Sequence, residues 1–181
     1  MKSLPQTIVL PIVMGLVMFS GTSRSSAQTQ DSEQISQLLV EAKSHALDAE
    51  DDAAKLEAYA RSRLSWRAHG YQLENMKVHV NELGRIAGQL NDLAPQGAPW
   101  QQQAIRQVMP LLTEMAGNLT SAIEHLNENQ SRVHMEPFRD YARTNYDLAK
   151  RTADLIRDVV DYDEAKSRAG SLEQKMDLAQ K

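Results

Sequence analysis

The sequence predicts an all-α protein, an elongated up-down-up-down four-helix bundle with a long C-terminal helix. Three observations point there. Apolar residues recur at gaps alternating between three and four along four long stretches, the spacing of a single helix face. Aromatic residues make up only 5% of the chain while hydrophobic residues make up 41%, with abundant Ala, Leu and Gln, which favours helices over a β-sandwich. The densest breaker run, Ala94-Pro95-Gln96-Gly97-Ala98-Pro99, falls between two of the periodic stretches.

The chain begins with a segment read as an address. Lys2 supplies a positive charge, Thr7 to Phe19 is an apolar run broken only by Pro11 and Gly15, and Ser25-Ser26-Ala27 offers small residues for cleavage. Residues 1–27 are therefore expected to be a cleaved signal peptide, and residues 28–181 the bundle domain. An uncleaved anchor is the rival, but the apolar run is shorter than the roughly 20 residues that cross a bilayer as a helix. This predicts a periplasmic or secreted protein of bacterial type, with no membrane contact after cleavage.

The first helix should start with Asp31 as N-cap and Gln34 as its reciprocal partner. Its stripe is Ile35, Leu39, Ala42, Ala46, Ala49, Ala53, Leu56 and Ala60. The charged run Asp48, Glu50, Asp51, Lys55 and Glu57 reads as its solvated face. Ser62 to Ser65 is expected to turn the chain. The alternative is one unbroken helix from Asp31 to Asp92, but a compact domain needs the Ala-rich stripe folded back and covered.

The second stripe runs Trp66, His69, Leu73, Met76, Val80, Leu83, Ala87 and Leu90. The third runs Gln101, Ile105, Val108, Leu112, Met115, Leu119, Ala122 and Leu126. A repeat averaging 3.5 residues is the seam of antiparallel bundles and coiled coils, so the two arms should face each other as a hairpin. Pro99 suits a first helical position, and Pro110 should kink the third helix rather than end it. After the polar run Asn127–Ser131, Pro137 opens a fourth helix. Its stripe is Phe138, Tyr141, Asn145, Leu148, Thr152, Leu155, Val159 and Tyr162, with Asn145 and Thr152 expected to set register through core hydrogen bonds. The more charged tail beyond Tyr162 should outrun the bundle and offer a surface to a protein partner helix.

Composition and motifs exclude much. A net charge of -4 gives no electrostatic reason to bind nucleic acid. With no cysteine there is no disulfide, thiolate metal site, covalent c-type haem or lipid-modified N-terminal Cys. There is no Gly-rich phosphate loop, no His-Glu-x-x-His, and no Glu-x-x-His pair of the di-iron bundles. No catalytic residue is assigned, and the protein is read as a non-enzyme without a required cofactor.

The histidines carry the one geometric signal. With a turn near Ser62–Ser65, His69 stands about 25 residues before the central loop and His125 about 25 after it, hence at the same height. His134, in the turn between the third and fourth helices, falls at the same end. His69, His125 and His134 thus form a candidate metal site, and imidazole donors favour zinc, copper or nickel over calcium. Haem held by a His and a Met is a further version of the same reading. The competing reading makes His69 an ordinary core residue and leaves His125 facing water. By the same arithmetic His45 and His79 also share a height, near mid-bundle.

The runs Ser65-Trp66, His79-Val80-Asn81-Glu82-Leu83-Gly84 and Pro99-Trp100-Gln101-Gln102-Gln103-Ala104-Ile105 resemble those of secreted bacterial helical proteins without an assigned activity. That resemblance implies a helical bundle and brings no catalytic residues. The function expected from all this is an extracytoplasmic, non-enzymatic binding or structural module. The alternative is a metal- or haem-binding bundle using histidines at one end.

Overall fold

The fold is set by four amphipathic helices, each of which buries its stripe against two neighbours. The computed structural model describes the backbone of residues 24–133 and 135–179 and the side chains of 33–133 and 135–178. Helix α1 spans Arg24–Ala60, α2 Trp66–Leu93, α3 Pro99–Glu128 and α4 Glu136–Ala179, with a 3-10 turn at Ala94–Gln96. Packing runs α1 on α2, α2 on α3, α3 on α4 and α4 back on α1, which closes the bundle.

Contacts between side chains report the antiparallel register. Along the α1–α2 seam, Glu41 meets Arg85, His45 meets His79 and Asp52 meets Gln72. Along α1–α4, Lys43 pairs with Asp161 at 2.8 Å, Glu50 lies 3.8 Å from both Lys150 and Arg157, and Arg139 Nε donates to the Ala60 carbonyl. Asn118 Nδ2 donates to the Tyr141 carbonyl across α3–α4, and Trp100 packs edge-on to Tyr162.

All eight stripe residues of α1 and all eight of α3 are buried. In α2 only Trp66 of the stripe is partly exposed. The alanines of α1 meet a helix that also buries small residues, Ala142, Ala149 and Ala153, so α1 and α4 approach closely. In α4 the stripe departs from the 3.5-residue reading. Phe138, Asn145, Leu148 and Thr152 are buried, but further on Ile156 and Val160 go inside in place of Leu155, Val159 and Tyr162. A straight helix drifts by about 20° per heptad against a 3.5-residue repeat, and over three heptads the buried sector moves by one position.

The connections fall between the periodic stretches. The chain turns between Ala60 and Trp66, so α1 and α2 are separate helices. Ser62 Oγ donates to the Tyr59 carbonyl at 2.7 Å, while Ser65 takes the N-cap position without a side-chain cap bond. At the central loop Pro99 opens α3, and Ala98 N–H donates to Gln101 Oε1 at 2.9 Å. This is half of a capping box, since an alanine has no group to return the bond. Helix α3 continues through Pro110.

Two local expectations are corrected. Asp31 is not an N-cap: α1 already begins at Arg24, and no Pro or Gly in residues 24–31 stops it. The register-setting role of Asn145 and Thr152 fails as well. Thr152 Oγ1 bonds back to the Leu148 carbonyl of its own helix at 2.8 Å, and the fully buried Asn145 side-chain amide has no partner.

Candidate functional site

The sequence-predicted histidines gather around Phe138, a fully buried ring at the start of α4. His69, from the first turn of α2, meets it edge-on with ring centroids 5.2 Å apart. His125, from the last turn of α3, stacks on it at 6.4 Å and also touches Tyr141. The two therefore share one end of the bundle, on the neighbouring helices α2 and α3, and both rings meet one aromatic residue. His134 lies outside the described residues.

The two rings differ in surroundings. His69 is 0% exposed, and neither ring nitrogen has a hydrogen-bond partner of normal geometry. Burial pushes its pKa below the ordinary imidazole value, opposed more weakly by the Leu64 backbone, so the ring is neutral at pH 7. His125 is half-buried, and Asn129 Nδ2, which donates to the His125 carbonyl at 3.0 Å, lies 3.5 Å from its Nδ1.

A second cluster sits at mid-bundle on the outer α1–α2 seam. His45 and Asp48 project from one turn of α1 toward His79 on α2. The Nδ1 atoms of the two histidines are 3.2 Å apart, and Asp48 Oδ2 is 3.8 Å from His79 Nδ1. His45, Asp48 and His79 each offer a donor atom within 4.8 Å of the others. Behind His79, the buried Asp52 places Oδ2 3.8 Å from Nε2. Asp52 is itself held: buried Gln72 donates from Nε2 to its Oδ1 at 2.9 Å and to its backbone carbonyl at 3.1 Å.

On the other side of His45, Glu41 and Glu82 also come within 4.8 Å. Those carboxylates are already matched, because Arg85 binds Glu41 through Nη2 and Glu82 through Nε at 2.8 Å. The Arg85 hydrogen bond holds the Glu82 carboxyl below the usual carboxylate range.

The residues that the sequence reading passed over are Asp48, which looked like part of a solvated charged face, and Asp52, which was not singled out. The available signal was spacing: His45, Asp48 and Asp52 lie at i, i+3 and i+7, one face of α1, at the height of His79. Comparison with protein-family models, curated proteins and solved structures finds no match to this chain.

Proposed function

We propose that the protein is a non-enzymatic, extracytoplasmic binding or structural module of bacterial type that works through its surface. The observation that carries this reading is the α1–α2 cluster. His45, Asp48 and His79 converge on the outside of two helices whose inner faces are filled with Leu, Ala, Met and Val side chains. Chemistry-bearing groups are collected where a ligand arrives from solvent. The apolar run Thr7–Phe19 followed by Ser25-Ser26-Ala27 supports export. No helix among the described residues is long and apolar enough to cross a membrane.

The end of α4 supports a second surface, for a protein partner. Beyond Val160 no described residue of α4 is buried, and Leu172, Met176 and Leu178 stand exposed on a helix that continues to Ala179.

The test is a titration of histidine-labelled protein, followed at the imidazole NMR signals, against divalent metal ions and small carboxylates and amines. The expected result is a saturable shift at His45 and His79 with the ligand recovered chemically unchanged. No shift on that face with any ligand, or conversion of the ligand, overturns the reading.

A further inference from the structure

We infer that His45, Asp48 and His79 form a binding site for one divalent transition metal ion of the zinc, copper and nickel class. This deepens the proposed function by naming the ligand of the α1–α2 face, and it rests on that reading.

The spacing of the donors is the first argument. Metal–ligand bonds of about 2.0–2.1 Å in a tetrahedron put neighbouring donor atoms roughly 3.3 Å apart. The observed separations are 3.2 Å between the two Nδ1 atoms and 3.8 Å from His79 Nδ1 to Asp48 Oδ2. An ion between them needs only small side-chain movements, because all three residues are at least partly exposed. Two neutral imidazoles with facing Nδ1 atoms either share a proton or aim both lone pairs at a cation.

The second argument is independent of spacing. A histidine that ligates through one nitrogen usually donates its other N–H to a carboxylate or carbonyl, which fixes the ring. If His79 ligates through Nδ1, its Nε2 faces Asp52 Oδ2 at 3.8 Å. Asp52 is 7% exposed and is held in place by Gln72, which is 3% exposed. A buried carboxylate held behind a ligating imidazole is a built arrangement and not a chance meeting of surface charges.

Charge selects the side of His45 on which the ion sits. Toward Glu41 and Glu82 stands the Arg85 guanidinium, which already occupies both carboxylates and repels a cation. Toward Asp48 no such cation among the described residues pairs with the donors; Lys55, the nearby base, lies 3.7 Å from Asp52 Oδ1, on the opposite oxygen from the one facing His79. Two imidazoles and one carboxylate suit zinc, copper or nickel, whereas calcium and magnesium require mostly oxygen donors. Three protein donors leave one tetrahedral position on the solvent side for water.

The test uses untagged protein purified from the compartment where it accumulates, stripped with chelator and titrated with zinc by calorimetry and with cobalt(II) by visible absorption. One equivalent should bind, and cobalt should show the intense bands of a four-coordinate centre. His45→Ala and His79→Ala should each abolish this binding. Asp52→Asn, which keeps an oxygen for Gln72 but removes the charge behind His79, should weaken it by about 10- to 100-fold while leaving metal-free thermal unfolding unchanged. Retention of helical circular dichroism by each variant separates loss of the site from loss of the fold. Zinc binding that is absent, or unaffected by His45→Ala and His79→Ala, overturns the inference. In that case a small carboxylate or amine that still shifts the His45 and His79 signals leaves the binding-module reading standing, and its absence removes both.

Discussion

The His69 ring meets Phe138 edge-on at 5.2 Å and 66°, fully buried, with neither nitrogen in a hydrogen bond of normal geometry. A neutral ring tolerates that position, whereas an imidazolium there would be a desolvated charge. The unfolded chain takes up the proton near the ordinary value of about 6.5, and the folded chain only at lower pH because burial depresses its pKa. Between those values the unfolded state binds more protons. The contribution of His69 is thus at its most favourable above about pH 6.5 and declines as pH falls toward the folded pKa. Urea midpoints at pH 7.5 and 5.5 should converge in His69→Leu relative to the wild-type chain. At pH 7.5 that variant should be more stable by up to about 1–3 kcal/mol, since it removes unpaired buried polar atoms. An unchanged pH dependence would contradict the burial account.

Leu83 is 1% exposed in the α2 seam, while Asp51 lies exposed on α1 in an ion pair with Lys55. Leu83→Ala should cost about 2–5 kcal/mol through lost burial and the cavity it leaves. Asp51→Ala should cost under about 0.5 kcal/mol. Denaturant midpoints compare the two directly, and equal effects would refute the seam assignment.

Gly97 closes the central loop against α1. A Cβ placed there would stand 2.7 Å from Ile35 Cδ1 and 3.3 Å from Gln101 Cβ. Its φ of -74° is open to any residue, so the constraint is space rather than backbone strain. Ile35 is 0% exposed, so its side chain must shift within a packed core. Gly97→Ala should cost about 1–3 kcal/mol, and pairing it with Ile35→Val should recover part of the loss in a double-mutant cycle.

The end of α4 should contribute little to the bundle. Tyr162 still packs against Trp100, and Lys166 lies over the same indole, but residues 170–178 are exposed throughout. Ending the chain after Ala169 should change the unfolding free energy by less than about 1 kcal/mol. A larger loss in thermal or denaturant unfolding would show that the tail belongs to the core fold.

The accumulated protein is expected to begin at Gln28, which intact mass spectrometry decides. Cleavage after Ala27 would shorten α1 by four residues and leave its buried stripe, from Ile35 to Ala60, untouched. A product retaining Lys2 through Ala27 would sink the cleavage reading.

The central loop and the buried stripes of α1 and α3 are determined by the sequence alone, whereas the break after Ala60, which the sequence left in competition with one unbroken helix, is decided by the structure. The causes of the loop and the stripes are local: apolar spacing, proline and glycine placement, and the need of each stripe to be covered. Height along the bundle was also legible, because rise per residue is constant. It put His69 level with His125, both now found against Phe138, and His45 level with His79. What only the tertiary structure decided, besides that break, is rotation about each helix axis. A drift of about 10° per turn places Ile156 and Val160 inside α4 instead of Val159 and Tyr162. Rotation likewise turns Asp48, from an apparently solvated run, and Asp52 toward His79. Charged residues at a helix boundary look alike in one dimension. Whether they face water or a neighbouring imidazole depends on where the second helix lies, and that is settled by packing over the whole seam.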